Sequence, residues 1–226
     1  MIKKQIGEFL IKQKDLSIVE ENADECILEG VYHFKGNYNE ICYEKDYLLK
    51  IKVYSRFPID LPKVYSCDNY FDGYPHLNSD KSFCLGVLLD NYLKMQHNPT
   101  ILNFFNLLVD PYLYSFEYLK EFGIMPFGER KHGLDGVLEF YREYFHENDV
   151  LKCIKLLQFV VKNDRYRGHH LCPCGSGFTT RKCHGEVLKK ILEQKGDRAY
   201  AMLLTKDMKG IEDYARGNKK KKKIST

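Results

Sequence analysis

An α+β fold is what this sequence predicts, a sheet-bearing domain followed by helices and a small cysteine-rich segment. Three observations carry the expectation. Apolar residues alternate with period two in stretches between residues 26 and 54, as half-buried strands require. They recur at helical spacing before that region and again beyond residue 98. The chain also holds 17 Tyr and 14 Phe but no Trp, and Tyr and Phe pack well on a pleated sheet.

In chain order, Ile2, Ile6, Phe9, Leu10 and Gln13 share a helical face, which predicts a helix over 1–14. Cys26, Leu28, Gly30, Tyr32 and Phe34 then alternate with Ile27, Glu29, Val31 and His33, so strands are expected within 16–35. Lys35–Asn39 reads as a turn. The clearest strand runs through Tyr47, Leu49, Ile51 and Val53. Pro58 and Pro62 forbid a helix or central ladder strand, so an extended edge is expected there. No period appears from Asp68 to Leu89; so long an irregular loop in a compact domain is often functional. A helix is expected from Asn98-Pro99-Thr100 to Asp110-Pro111, where proline should break it, and another from Tyr112 to Gly123. Residues 125–133, rich in charge and glycine, read as a linker. Helices are expected over 134–146, 149–162 and 186–208.

These elements suggest four segments: a folded domain at 1–125, a linker and helical extension at 126–166, a metal-binding segment with following helices at 167–208, and a disordered basic tail at 209–226. Net charge is +4, and Lys219–Lys223 form an unbroken run. The remainder is close to neutral, so no nucleic-acid footprint is expected beyond weak attraction by the tail. No apolar run reaches the length of a membrane span, and the amphipathic start lacks the apolar centre of a secretion signal. A cytoplasmic protein is expected, with no membrane partner. Its eight cysteines then read as thiols, metal ligands or nucleophiles rather than disulfides.

Three cysteines cluster in Cys172-Pro-Cys174-Gly-Ser-Gly-Phe-Thr-Thr-Arg-Lys-Cys183-His184. Three thiolates and an imidazole form a standard tetrahedral zinc set. Gly175 and Gly177 permit the positive φ that lets a backbone wrap tightly. Zn2+ is therefore expected on Cys172, Cys174, Cys183 and His184, with His169 or His170 as alternatives to the last. The string resembles the SEC-C motif, a short zinc-binding module named for its occurrence at the C-terminus of the SecA translocation ATPase. The resemblance covers about 15 residues and implies a docking or stabilising role, not catalysis.

A second candidate is Cys84, in the long loop, with His76 eight residues before it. The order of helix, strands, Pro-rich stretch Phe57–Val64, cysteine-bearing loop and helices resembles the ubiquitin-conjugating enzyme family over residues 1–122. That resemblance implies a four-strand antiparallel meander and a reactive cysteine at Cys84. Tyr74-Pro75-His76 stands where the family has His-Pro-Asn, so a histidine replaces the family's asparagine. Asn78 is an amide, but at the wrong spacing of six. Bacterial relatives in phage-defence conjugation systems often depart at this triplet, and this chain resembles them more closely than the eukaryotic enzymes.

The implied activity is acyl transfer. Cys84 would take a ubiquitin-like or protein C-terminus from an activating enzyme and pass it to an amine on a target, a nucleotide cyclase being one candidate. His76 would donate to the oxyanion or act as base. The chain has no nucleotide-binding Gly-rich loop, so ATP-dependent activation falls to another protein. A non-catalytic adaptor of the same fold is the alternative. A Cys84–His76 protease ranks last, because no third orienting residue is evident. Cys26, Cys42, Cys67 and Cys153 read as packing residues.

Overall fold

The computed structural model describes residues 2–128, 131 and 133–224, with side chains described through Asp213. The protein is α+β, and its four strands form one antiparallel sheet in the order β1-β2-β3-β4. Contacts divide the chain into two compact units. One comprises Met1–Gly86 and Asn91–Glu129; the other comprises Val87–Asp90 and Arg130–Thr226. The helical extension and the cysteine-rich segment, distinct in the sequence reading, thus share one unit.

In the first unit, helix α1 (Ile2–Lys12) leads to β1 (Leu16–Glu21), β2 (Glu25–Tyr38), β3 (Ile41–Tyr54) and β4 (Lys63–Ser66). Alternation decides which sheet face is buried. Cys26, Leu28, Tyr32 and Phe34 of β2 are buried, as are Tyr47, Leu49, Ile51 and Val53 of β3. The register pairs Cys26 with Val53, Leu28 with Ile51 and Tyr32 with Tyr47, so both sets share a face. Ile6 and Phe9 of α1 join this core with Phe71, Tyr74 and Phe83 of the long loop. Gly30 is obligatory: its φ is +141°, and a Cβ there would lie 2.0 Å from the Asp15 carbonyl oxygen.

Several expectations are corrected. The turn expected over 35–39 comes later: β2 continues to Tyr38, and Asn39 and Glu40, both at positive φ, make the reversal. The Pro58–Pro62 stretch is not an extended edge. The Arg56 carbonyl accepts from Ile59 N–H at 2.9 Å, and Asp60 closes a turn by an ion pair with Arg56 at 2.6 Å; proline suits such turns as well as edges. The irregular loop gives way to helix α2 (Leu88–Met95), whose short apolar run has no period long enough to stand out.

Nor does Pro111 break the helix. Helix α3 (Ile101–Phe104), capped by the Thr100 side chain, passes through a π turn (Phe105–Val109) into α4 (Asp110–Phe122). The Asp110 N–H reaches back to Phe105 O across the wider turn. Pro111 then falls in the first turn of α4, where its missing N–H costs least. Gly123, at φ 73°, ends α4 in the left-handed conformation expected of such a glycine.

The second unit packs α6 (Val150–Lys162) against α5 (Gly133–Phe145), α7 (Gly185–Gln194) and α8 (Arg198–Ile224). Asp149 caps α6 by accepting from Leu151 and Lys152 N–H. Phe145, Leu156, Leu188, Ile191 and Leu204 are fully buried. The helical region expected over 186–208 comprises two helices, separated at Lys195–Asp197. Backbone of the expected basic tail is helical to Ile224, while the side chains of Lys219–Lys223 lie outside those described. Glu129, Arg130 and His132 of the expected linker also lie outside the described residues.

Candidate functional site

Cys84 and His76 lie on opposite arms of a small hairpin inside the long loop. Leu77 and Phe83 form its antiparallel bridge. On one side of the bridge the Asn78 N–H donates to Ser82 O at 2.8 Å; on the other, the Cys84 N–H donates to His76 O at 2.8 Å. This register sets His76 directly opposite Cys84. Opposed residues of an antiparallel pair share a face, with Cβ atoms roughly 4.5–5.5 Å apart. Phe83 is buried in the core and Leu77 packs against it, while the His76 ring lies 5.2 Å from that of Tyr74 with its Nε2 buried. His76 and Cys84 are both half-buried.

Each arm is anchored. The Phe83 N–H donates to Val64 O of β4 at 2.8 Å. The Tyr112 hydroxyl of α4 donates to His76 O at 3.0 Å, and its ring stacks on Phe83 at 4.4 Å. Burial, reinforced by Tyr74 and Cys84, holds the Tyr112 hydroxyl well above its ordinary range, so it stays a neutral donor. At the tip, Lys63 sits 2.6 Å from Asp80, which also accepts from Ser82. Those contacts, Lys63 first, draw the Asp80 carboxyl down to about 2. The Asn78 amide is committed within the hairpin to Ser82 Oγ and Phe83 O.

Sequence reasoning missed Asn91 of α2. It is 2% exposed, and its amide donates to Leu85 O at 3.0 Å, holding the backbone just after Cys84. Its Oδ1 has no hydrogen-bond partner among the described residues. An asparagine in a helix gives no local signal of such a contact.

The second unit brings Cys172, Cys174, Cys183 and His184 together, with one ligand atom from each lying within 4.8 Å of all the others. Sulfur separates from sulfur by 3.6 Å between Cys174 and Cys183. His184 Nδ1 stands 3.2 Å from Cys183 Sγ and 3.4 Å from Cys172 Sγ. The segment folds this way because Gly175 and Gly177 take φ of 84° and 81°. The resulting turn lets the Cys172 N–H reach Phe178 O at 2.8 Å. The four residues can hold a metal ion. His169 and His170 instead pack ring to ring at 4.5 Å, and Phe178 is 62% exposed.

Burial pushes the Cys172 thiol up to about 11. For Cys174 burial acts the same way, but hydrogen bonds with Ser176, Cys172 and Cys183 together outweigh it and lower the thiol. Burial also lowers His184, favouring the neutral imidazole a metal requires. Of the remaining cysteines, Cys26 and Cys153 are buried as packing residues, whereas Cys42 and Cys67 are exposed, contrary to expectation. Among the described residues no helix is long and apolar enough to cross a membrane. No family model matches this chain, and no curated protein or solved structure matches it either.

Proposed function

We propose that the protein is an acyl-carrier transferase of the ubiquitin-conjugating type, serving a bacterial conjugation or antiphage defence system. The observation that carries this reading is the hairpin register that opposes His76 to a half-buried Cys84. The Cys84 thiolate attacks the thioester carbonyl of a ubiquitin-like C-terminus carried by an activating enzyme. A new sulfur–carbon bond forms, and the activating enzyme's thiolate leaves. A target amine then attacks the Cys84 thioester, the amide forms, and Cys84 departs as thiolate. His76 donates an N–H to the oxyanion or takes the amine's proton. Anchoring by Tyr112 and Val64 fixes the two arms before substrate arrives, which supports preorganised chemistry.

The Cys3His cluster is read as a zinc site with a structural or docking role. Tetrahedral Zn–S bonds of about 2.3 Å correspond to ligand edges of about 3.8 Å, close to the 3.6 Å between Cys174 and Cys183. Four protein ligands close the shell and leave no position for substrate, so zinc takes no part in the transfer.

Incubation with a cognate activating enzyme, ATP and ubiquitin-like protein tests the transfer. Wild type is expected to form a thiol-reducible adduct, Cys84→Ser a thiol-resistant ester, and Cys84→Ala neither. Conjugation at full rate by Cys84→Ala overturns the assignment. A stable complex indifferent to Cys84, with no adduct, instead favours the adaptor.

A further inference from the structure

We propose that Glu147 is the positioning residue of the metal centre, orienting His184 so that it ligates through Nδ1 and keeps its hydrogen on Nε2. The inference rests on the reading of the Cys3His cluster as a zinc site. Glu147 lies far from that segment in sequence, in the turn between α5 and α6.

The imidazole of His184 has two differently occupied ends. Nδ1 faces the sulfurs of Cys183 and Cys172 at 3.2 and 3.4 Å. Nε2 faces Glu147 Oε2 at 3.7 Å, and both side chains are largely buried, 11% and 15% exposed. At that separation the pair is an electrostatic contact rather than a hydrogen bond. Its direction is nevertheless the one a ligating histidine uses, one nitrogen on the metal and the other N–H toward a carboxylate.

Glu147 is held in place without help from the four residues of the metal cluster. Its N–H donates to Arg142 O at 2.9 Å, and its carbonyl accepts the Cys153 thiol at 3.1 Å. Its Oε1 accepts the Asp149 N–H at 3.0 Å. That leaves Oε2 directed at His184 and at Lys152, whose Nζ is also 3.7 Å away. A carboxylate so restrained specifies the tautomer of the imidazole and raises the basicity of the ligating nitrogen. It also ties the start of α6 to the metal segment.

The test uses the full chain, reconstituted with Zn2+ and titrated against a chromophoric chelator. Far-UV circular dichroism checks the fold of each variant. Wild type is expected to bind one zinc. Glu147→Ala is expected to bind it about 10–100-fold more weakly. Glu147→Gln, which keeps an acceptor but no charge, is expected to fall between the two, and it serves if Glu147→Ala fails to fold. Long-range 1H–15N spectra are expected to show His184 of the zinc-loaded wild type protonated at Nε2. Binding by both variants within twofold of wild type, or ligation through Nε2, overturns the role of Glu147 and leaves the zinc site standing. A wild type that takes up no zinc overturns both.

Discussion

His33 shows how single side chains on the solvent side of the sheet respond to their neighbours. Its Nδ1 lies 2.7 Å from Asp46 and its Nε2 lies 2.6 Å from Asp15. Hydrogen bonding to Asp46, then to Asp15, raises its pKa above the ordinary value, although the side chain is 47% exposed. A raised pKa means that the folded state holds the proton more tightly than the unfolded chain. The stabilisation is therefore complete below about pH 6.5 and fades as pH rises through the folded value. NMR titration is expected to place the His33 midpoint above that of an unstructured histidine. In Asp46→Asn the midpoint should move back toward it, and an unmoved midpoint would remove the ion pair from the explanation. Individual site residues differ in how legible they were. The four residues that can hold a metal fall within 13 consecutive positions, so type and spacing expose them. Cys84 and His76 were singled out through a family resemblance, and the hairpin that sets their backbones opposite each other left no signal in the sequence. Asn91 and Glu147 were not legible, since their partners are set by tertiary approach rather than by local pattern.

Among elements, α4 bears most of the polar ties to the sheet. Its Glu117, 3% exposed, accepts from Tyr47 at 2.7 Å, Tyr70 at 3.0 Å and Lys45 at 2.6 Å. A buried carboxylate is tolerable only when so fully partnered. Glu117→Leu strands the buried Tyr47 hydroxyl, whereas the Tyr70 hydroxyl keeps Lys120 at 3.1 Å and Lys45, 40% exposed, finds water. The expected loss is about 2–3 kcal/mol, measured by urea denaturation; a loss below about 0.5 kcal/mol would mean that the network contributes only position. None of this could be read from Tyr-Ser-Phe-Glu-Tyr, where a glutamate among aromatics looks like a solvent-facing helix residue. The strands were legible because period two survives wherever one face is buried, as Leu28, Tyr32 and Phe34 illustrate. Pro111 misled because the rule that proline ends helices omits the π turn that admits it.

On the scale of the whole chain, the α+β class was legible from the change of hydrophobic period, but the grouping into two units was not. Contacts of α6 with α5, α7 and α8 depend on which helix faces match, and no local signal records that. If zinc holds the cysteine-rich segment, its removal should act on one unit more than the other. Chelation is expected to speed amide hydrogen exchange in α6 and α7 by about tenfold or more while leaving β2 and β3 unchanged. Equal acceleration in both, followed by mass spectrometry, would contradict this. The compactness of the ligand set has a kinetic corollary. Cys172 and His184 are so near in sequence that bringing them together costs little chain entropy, and loops of about ten residues close in about 10–100 ns. Metal capture can therefore precede the slower docking of α8 on α6, giving the later helices a preformed seed on which to assemble.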